Sequence, residues 1–188
     1  VFAEQPMQPA HHYRIPLWDY QKPEIALSTA AVCGQTSPGI AHMWHMPGHI
    51  YSRLKRYQDA VWQQEASARV DHAHMMRDRV MPDQIHNFAH NNEWLIRNLN
   101  HIGRVSDAID LAKNMIELPR HPKYNTLSRR GSTNYGRMRL FETLSVSMEQ
   151  IRRDGSLLRK KINAQKITYE QLAELAECGR ETLIDIIE

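Results

Sequence analysis

The chain has 188 residues, 41% of them hydrophobic and 24% charged, with a formal charge of +3. That length and composition allow one ordinary globular domain, or one domain with a small appendage, and the mild charge does not by itself argue for a nucleic-acid partner. Two distant cysteines, Cys33 and Cys178, exclude a disulfide framework, and no run of 18 apolar residues is present to span a membrane. The expected state is soluble, with cytoplasmic and exported locations both open. The opening "VFAEQ" is compatible with a processed or fragmentary N-terminus.

Histidine is unevenly distributed. All eleven histidines fall between His11 and His121. The first predicted elements, around "HHYRIP" and "DYQKPEIAL", form a weak helical pair. Next comes "AHMWHMPGHIYSR", 41–53, in which His45 and His49 lie four apart and share a helix face. Pro47 inside it removes a hydrogen bond, so the helix is expected to kink or start late. "YSRLKRYQDAVWQQEASARVD" has helical spacing with a break near 55–57. "NEWLIRNLNHIGRVSDAIDLAKNMIELP" repeats that pattern with its break at Gly103. "LKRYQDAV" matches "IGRVSDAI" position by position. Ala26, Ala60 and Ala108 align at spacings of 34 and 48; the second exceeds the first by 14, which fits an insertion covering about 71–84.

A helix–turn–helix unit of this period, with Trp44, Gly48, Tyr51 and Ala60 at the large and small positions, resembles the tetratricopeptide repeat. "HMPGHIYSRLKRYQDAV" is similar to bacterial tetratricopeptide proteins carrying a His-Met-Pro-small-His-Ile motif. "HYRIP", 12–16, and "HNFAH", 86–90, match neighbouring segments of that group only in part, lacking a second histidine and an acid respectively. The resemblance covers about 10–120 and implies an all-α solenoid of helical hairpins over 8–144. It also implies a concave groove lined by His42, His45, His49, Arg53, His90, Glu93, Arg97 and His101. The expected function is a non-enzymatic scaffold holding a peptide or protein partner there, with Arg53 and Arg97 suited to carboxylates.

Two other functions stay open. His45 with His49, and His86 with His90, form two i,i+4 pairs that could supply imidazole nitrogens to Zn²⁺ or copper, with His12 as a further ligand. "DHAH", 71–74, offers a second chelating group. Otherwise these histidines cap helices and cross-link repeats. No nucleophile motif, phosphate loop or dinucleotide fingerprint appears, so no catalytic residue is assigned.

The stretch 120–139 carries six Lys/Arg and no acid, and reads as a solvated connector or an anion-binding edge before a further helix near 135–144. The segment 145–188 is expected to be helical, with a capping-box start at Thr168 and Gln171. It resembles a phage-repressor helix-turn-helix at Leu172, Ala173, Ala176, Leu183 and Ile186. That resemblance implies a DNA-binding regulator. However, 166–188 has two basic and six acidic residues, a poor surface for phosphates. The alternative is a helical cap for the solenoid.

Overall fold

A computed structural model describes residues 2–85, 87–124 and 131–145. The region expected to hold the helix-turn-helix or cap, 145–188, lies almost wholly outside the described residues, as does His86. The chain divides into two compact units, Val1–Phe141 and Glu142–Glu188, and the histidine-bearing helices all belong to the first.

The described residues are helical and contain no strand. In order they form α1 (His11–Trp18), a 3-10 turn at Pro23–Ala26, α2 (Leu27–Thr36), α3 (Ala41–Arg53), α4 (Tyr57–Asp78), a 3-10 turn at Pro82–Gln84, α5 (Phe88–His101), α6 (Val105–Glu117), a 3-10 turn at Pro122–Tyr124 and α7 over 132–145. Each of the first six helices packs on the next, and α3 also touches α1 and α5. The odd-numbered helices α1, α3 and α5 therefore lie side by side, and their histidines are neighbours.

Two apolar clusters hold these helices. Ile15, Ala30, Cys33, Met43 and Ile50 form one with Ala26 and Ala60; Val61, Leu95, Ile96, Leu99 and Met115 form the other with Ala108 and Ala112. Helix α4 serves both, through adjacent Ala60 and Val61. The three aligned alanines, Ala26, Ala60 and Ala108, are each completely buried, where a larger side chain would push the paired helices apart.

The two matching phrases fold into the same turn. Lys55 and Gly103 both have left-handed backbone, at φ of 58° and 77°. Arg56 N–H donates to Tyr51 O at 2.8 Å, and Arg104 N–H to Leu99 O at 3.0 Å. The same arginines reach Asp59 and Asp107, both three residues on.

Of the two outcomes expected at Pro47, the late start does not occur: α3 starts at Ala41 and runs through the proline. Pro47 is buried, and packing against neighbouring helices offsets the lost hydrogen bond. The expected insertion takes the form of a longer α4, 22 residues against 13 in α6, followed by the 3-10 turn at Pro82–Gln84.

Candidate metal centre

His45, His49 and His90 converge. One nitrogen from each lies within 4.8 Å of the other two. The first two come from successive turns of α3 and the third from the first turn of α5. The contact between those helices brings the two sequence-distant segments together.

The hydrogen bonds around His45 fix its tautomer. Gln64 on α4 donates its amide N–H to the His45 carbonyl at 3.2 Å. Its other amide atom, Oε1, therefore accepts from His45 Nδ1–H at 2.8 Å, and the lone pair is left on Nε2. That Nε2 faces His49 Nε2 at 2.8 Å. Gly48 makes this possible: a Cβ there would collide with the Gln64 amide. His45 is fully buried. Its pKa is held well below the usual histidine value, first by desolvation and then by the nearby His49 and His90, against an opposing hydrogen bond from Gln64. The neutral form, which can ligate a metal, is therefore favoured.

His49 has an acid behind it. Its Nδ1 lies 3.6 Å from Asp19 Oδ2, at the C-terminal end of α1. Burial tends to raise the pKa of Asp19, but His49 and Arg53 together outweigh it and keep the carboxyl below its ordinary value. Asp19 is 4% exposed, and Arg53 Nε reaches it at 3.4 Å. His90 repeats the arrangement, with Nδ1 3.7 Å from Glu93 Oε2. Glu93 is also buried and is charge-balanced by Arg139 at 2.5 Å and Arg97 at 3.8 Å. Only His45 makes a hydrogen bond to its outer partner; Asp19 and Glu93 stand within ion-pair distance of His49 and His90, and His49 Nδ1 is buried without a hydrogen-bond partner. A slight approach of the two carboxylates would give the outer-shell arrangement that orients metal-ligating histidines.

Trp94 closes one side, its ring 4.0 Å from that of His49, and the Arg97 guanidinium stands 4.7 Å from the indole centroid. Arg53 similarly stands 4.3 Å over Tyr20.

The remaining expected residues lie outside the cluster. The His42 ring is 5.9 Å from that of His45, and its Nδ1 accepts from Asn87 Nδ2 at 3.1 Å. The His12 ring lies tilted, 4.9 Å from that of His42, and is not among the three converging groups. Burial lowers its pKa. His101 is exposed and stacks on Tyr57 at 4.1 Å. In the "DHAH" segment, Asp71 accepts from Asn91 Nδ2 at 2.8 Å, whereas His74 pairs with Asp78 at 3.1 Å. Among the described residues, only the His45–His49–His90 set gathers as metal ligands would.

Sequence reasoning missed Asp19, Gln64, Trp94 and Arg139. Gln64 carried a signal: it lies one helical turn after the aligned Ala60, on the stripe that faces the core, where an amide needs a partner. Asp19 carried none beyond its 34-residue offset from Arg53. Comparison with protein-family models, curated proteins and solved structures returned no match.

Proposed function

We propose that this chain is a metal-binding helical-repeat protein, a tetratricopeptide-like stack of hairpins that holds Zn²⁺ or copper on His45, His49 and His90. One observation carries the reading: three imidazoles converge, with Gln64 bonded to Nδ1 of His45 and the Asp19 and Glu93 carboxylates 3.6 and 3.7 Å from Nδ1 of His49 and His90. Without a metal, the His45–His49 contact holds one proton between two Nε2 atoms. With one, both lone pairs are used, and His49 Nδ1–H is free to donate to Asp19. Tetrahedral zinc ligands about 2.0–2.1 Å from the ion lie about 3.3 Å apart, so the 2.8 Å pair needs only a small opening. Three neutral nitrogens leave one coordination position for an outside ligand, and a metal bound there supplies a Lewis acid.

Full-length protein equilibrated with Zn²⁺, or with Cu⁺ under reductant, is expected to retain about one equivalent after desalting. His49→Asn and His90→Asn should each abolish retention; His101→Asn, remote from the cluster, should not change it. Retention below about a tenth of an equivalent of either metal, or undiminished retention in both cluster variants, defeats the proposal.

A second reading, a groove for a peptide or protein partner, is supported by Arg53 and Arg97, which stay partly exposed over aromatic rings beside the same cluster. Binding of a peptide with a free carboxylate should then persist in chelator and weaken about tenfold in Arg97→Ala. Loss of that binding in chelator ties it to the metal instead.

A further inference from the structure

The insertion that breaks the repeat does more than lengthen a helix. Together with the start of α3 and the α5 entry, the end of α4 and the 3-10 turn at Pro82–Gln84 line an open-mouthed cavity of about 620 Å³. Ile40, Val70 and Ile85 supply its apolar walls. The inserted stretch supplies Asp71, His74, Arg77 and Gln84 to the lining, and Ile85 follows it directly.

The polar groups divide by depth. Asp71 and Asn91, 3% and 0% exposed, lie at the inner end, whereas Arg77 and His74 stand at the rim. The inner amide donors already have partners: Asn91 Nδ2 donates to Asp71 Oδ2, and Asn87 Nδ2 to His42 Nδ1. Asn91 Oδ1 is buried with no hydrogen-bond partner. A buried carboxyl and an unsatisfied carbonyl oxygen side by side ask for a donor. At the rim, Arg77 pairs with Asp78 at 2.7 Å and the His74 ring lies 3.1 Å from the same carboxylate, so the arginine there is already matched. An anion would meet an already paired arginine outside and a carboxyl within. A cationic donor would find two oxygen acceptors and form charge-assisted hydrogen bonds.

We propose that this cavity binds a small molecule with an ammonium head and a short apolar body, the head against Asp71 and Asn91 and the body between Val70 and Ile85. Burial raises the Asp71 pKa, with Asn91 and His74 opposing; a bound cation supplies the counter-charge that the folded chain places only at longer range. The site needs no metal, although His42 forms both its wall and a near neighbour of His45.

The test is an NMR titration of the full-length, metal-free protein with three probes of one shape: 2-phenylethylammonium, 2-phenylethanol and 3-phenylpropionate. The ammonium is expected to bind with a Kd of ~1 mM, ordinary for so small a ligand, and about tenfold more tightly than the alcohol. It should shift the Asn91 and Asn87 side-chain amides and the Ile85 backbone amide. The carboxylate should shift none of these. Asp71→Asn should weaken ammonium binding about tenfold and Ile85→Trp, which fills the cavity, should abolish it. If either variant does not fold, the three-probe series on the natural chain decides. Alcohol or carboxylate binding as tight as the amine, shifts confined to other residues, or no shift up to about 20 mM overturns the proposal.

Discussion

His49 Nδ1 lies 3.6 Å from Asp19, an acid at the end of a different helix, and the contribution of that contact can be measured. Asp19→Asn keeps the shape but removes the charge behind Nδ1 and lets the amide present a donor where an acceptor is needed. Outer-shell changes of this kind weaken metal affinity about 10–100-fold, and competition with a chromophoric zinc chelator should show that loss. Gly48→Ala should act in the same direction through Gln64, because the added Cβ displaces the amide that sets the His45 tautomer. Unchanged zinc affinity in Asp19→Asn would mean that His49 is held by packing on Trp94 alone. Much of this centre was legible in the sequence. His45 and His49 at helical spacing, and His90 in the next matching segment, are local patterns. Asp19 was not legible, because its role depends on where α1 ends relative to α3. Gln64 was hidden for another reason: a glutamine in an α-helix is usually a surface residue, and only its register with Ala60 marks it as internal. Asp71 carries a pH dependence whose sign can be worked out. Its folded pKa is raised by burial, so between the unfolded value of 3.8 and the folded value the native state binds the extra proton. Stability from this group therefore falls as pH rises through that window and stays reduced above it. Asp71→Asn removes the penalty and keeps an oxygen for Asn91 Nδ2. The variant should melt higher than the natural chain at pH 7, with the gap closing as the pH approaches 4. A variant that melts lower at pH 7 would show that Asp71 is stabilised as an anion by its surroundings.

Between paired helices, the matched turns make a natural experiment. Lys55 and Gly103 occupy the same left-handed position, and nothing lies within 4 Å of a Cβ built on Gly103. The cost of a side chain there is therefore backbone strain alone, about 1 kcal/mol for a non-glycine residue. Gly103→Ala should destabilise by about that amount. Lys55→Gly relieves the same strain but gives the unfolded chain more freedom, so the net gain should be about 0.5 kcal/mol. Urea unfolding of both variants tests the pair; a stabilising Gly103→Ala would break the equivalence of the turns. The α3–α4 and α5–α6 pairs were largely readable, because both carry a similar apolar pattern around a buried alanine and a left-handed turn. The continuity of α3 through Pro47 was not. A proline's effect on a helix depends on what packs around it, and that is a tertiary property.

Across the first unit, the proposed metal centre would link elements that the apolar clusters hold separately. Its three histidines come from α3 and α5; their neighbours come from the end of α1, from α4, and from α7 through Arg139 on Glu93. The two apolar clusters share only α4. An ion bound by the native arrangement and not by the unfolded chain stabilises by mass action, about 2.7 kcal/mol at a free concentration one hundred times the Kd. For a domain of this size each kcal/mol raises Tm by about 2–4 °C, so Zn²⁺ at that ratio should raise it by about 5–10 °C. Because the three ligands bridge α3 and α5, the shift should appear as a single sharper transition, reversed by EDTA and absent from His90→Asn. His90→Asn leaves both α3 histidines in place, so a zinc-induced rise that survived in this variant would assign the stabilisation to an i,i+4 pair within α3. The bridge between helices would then have no part in it.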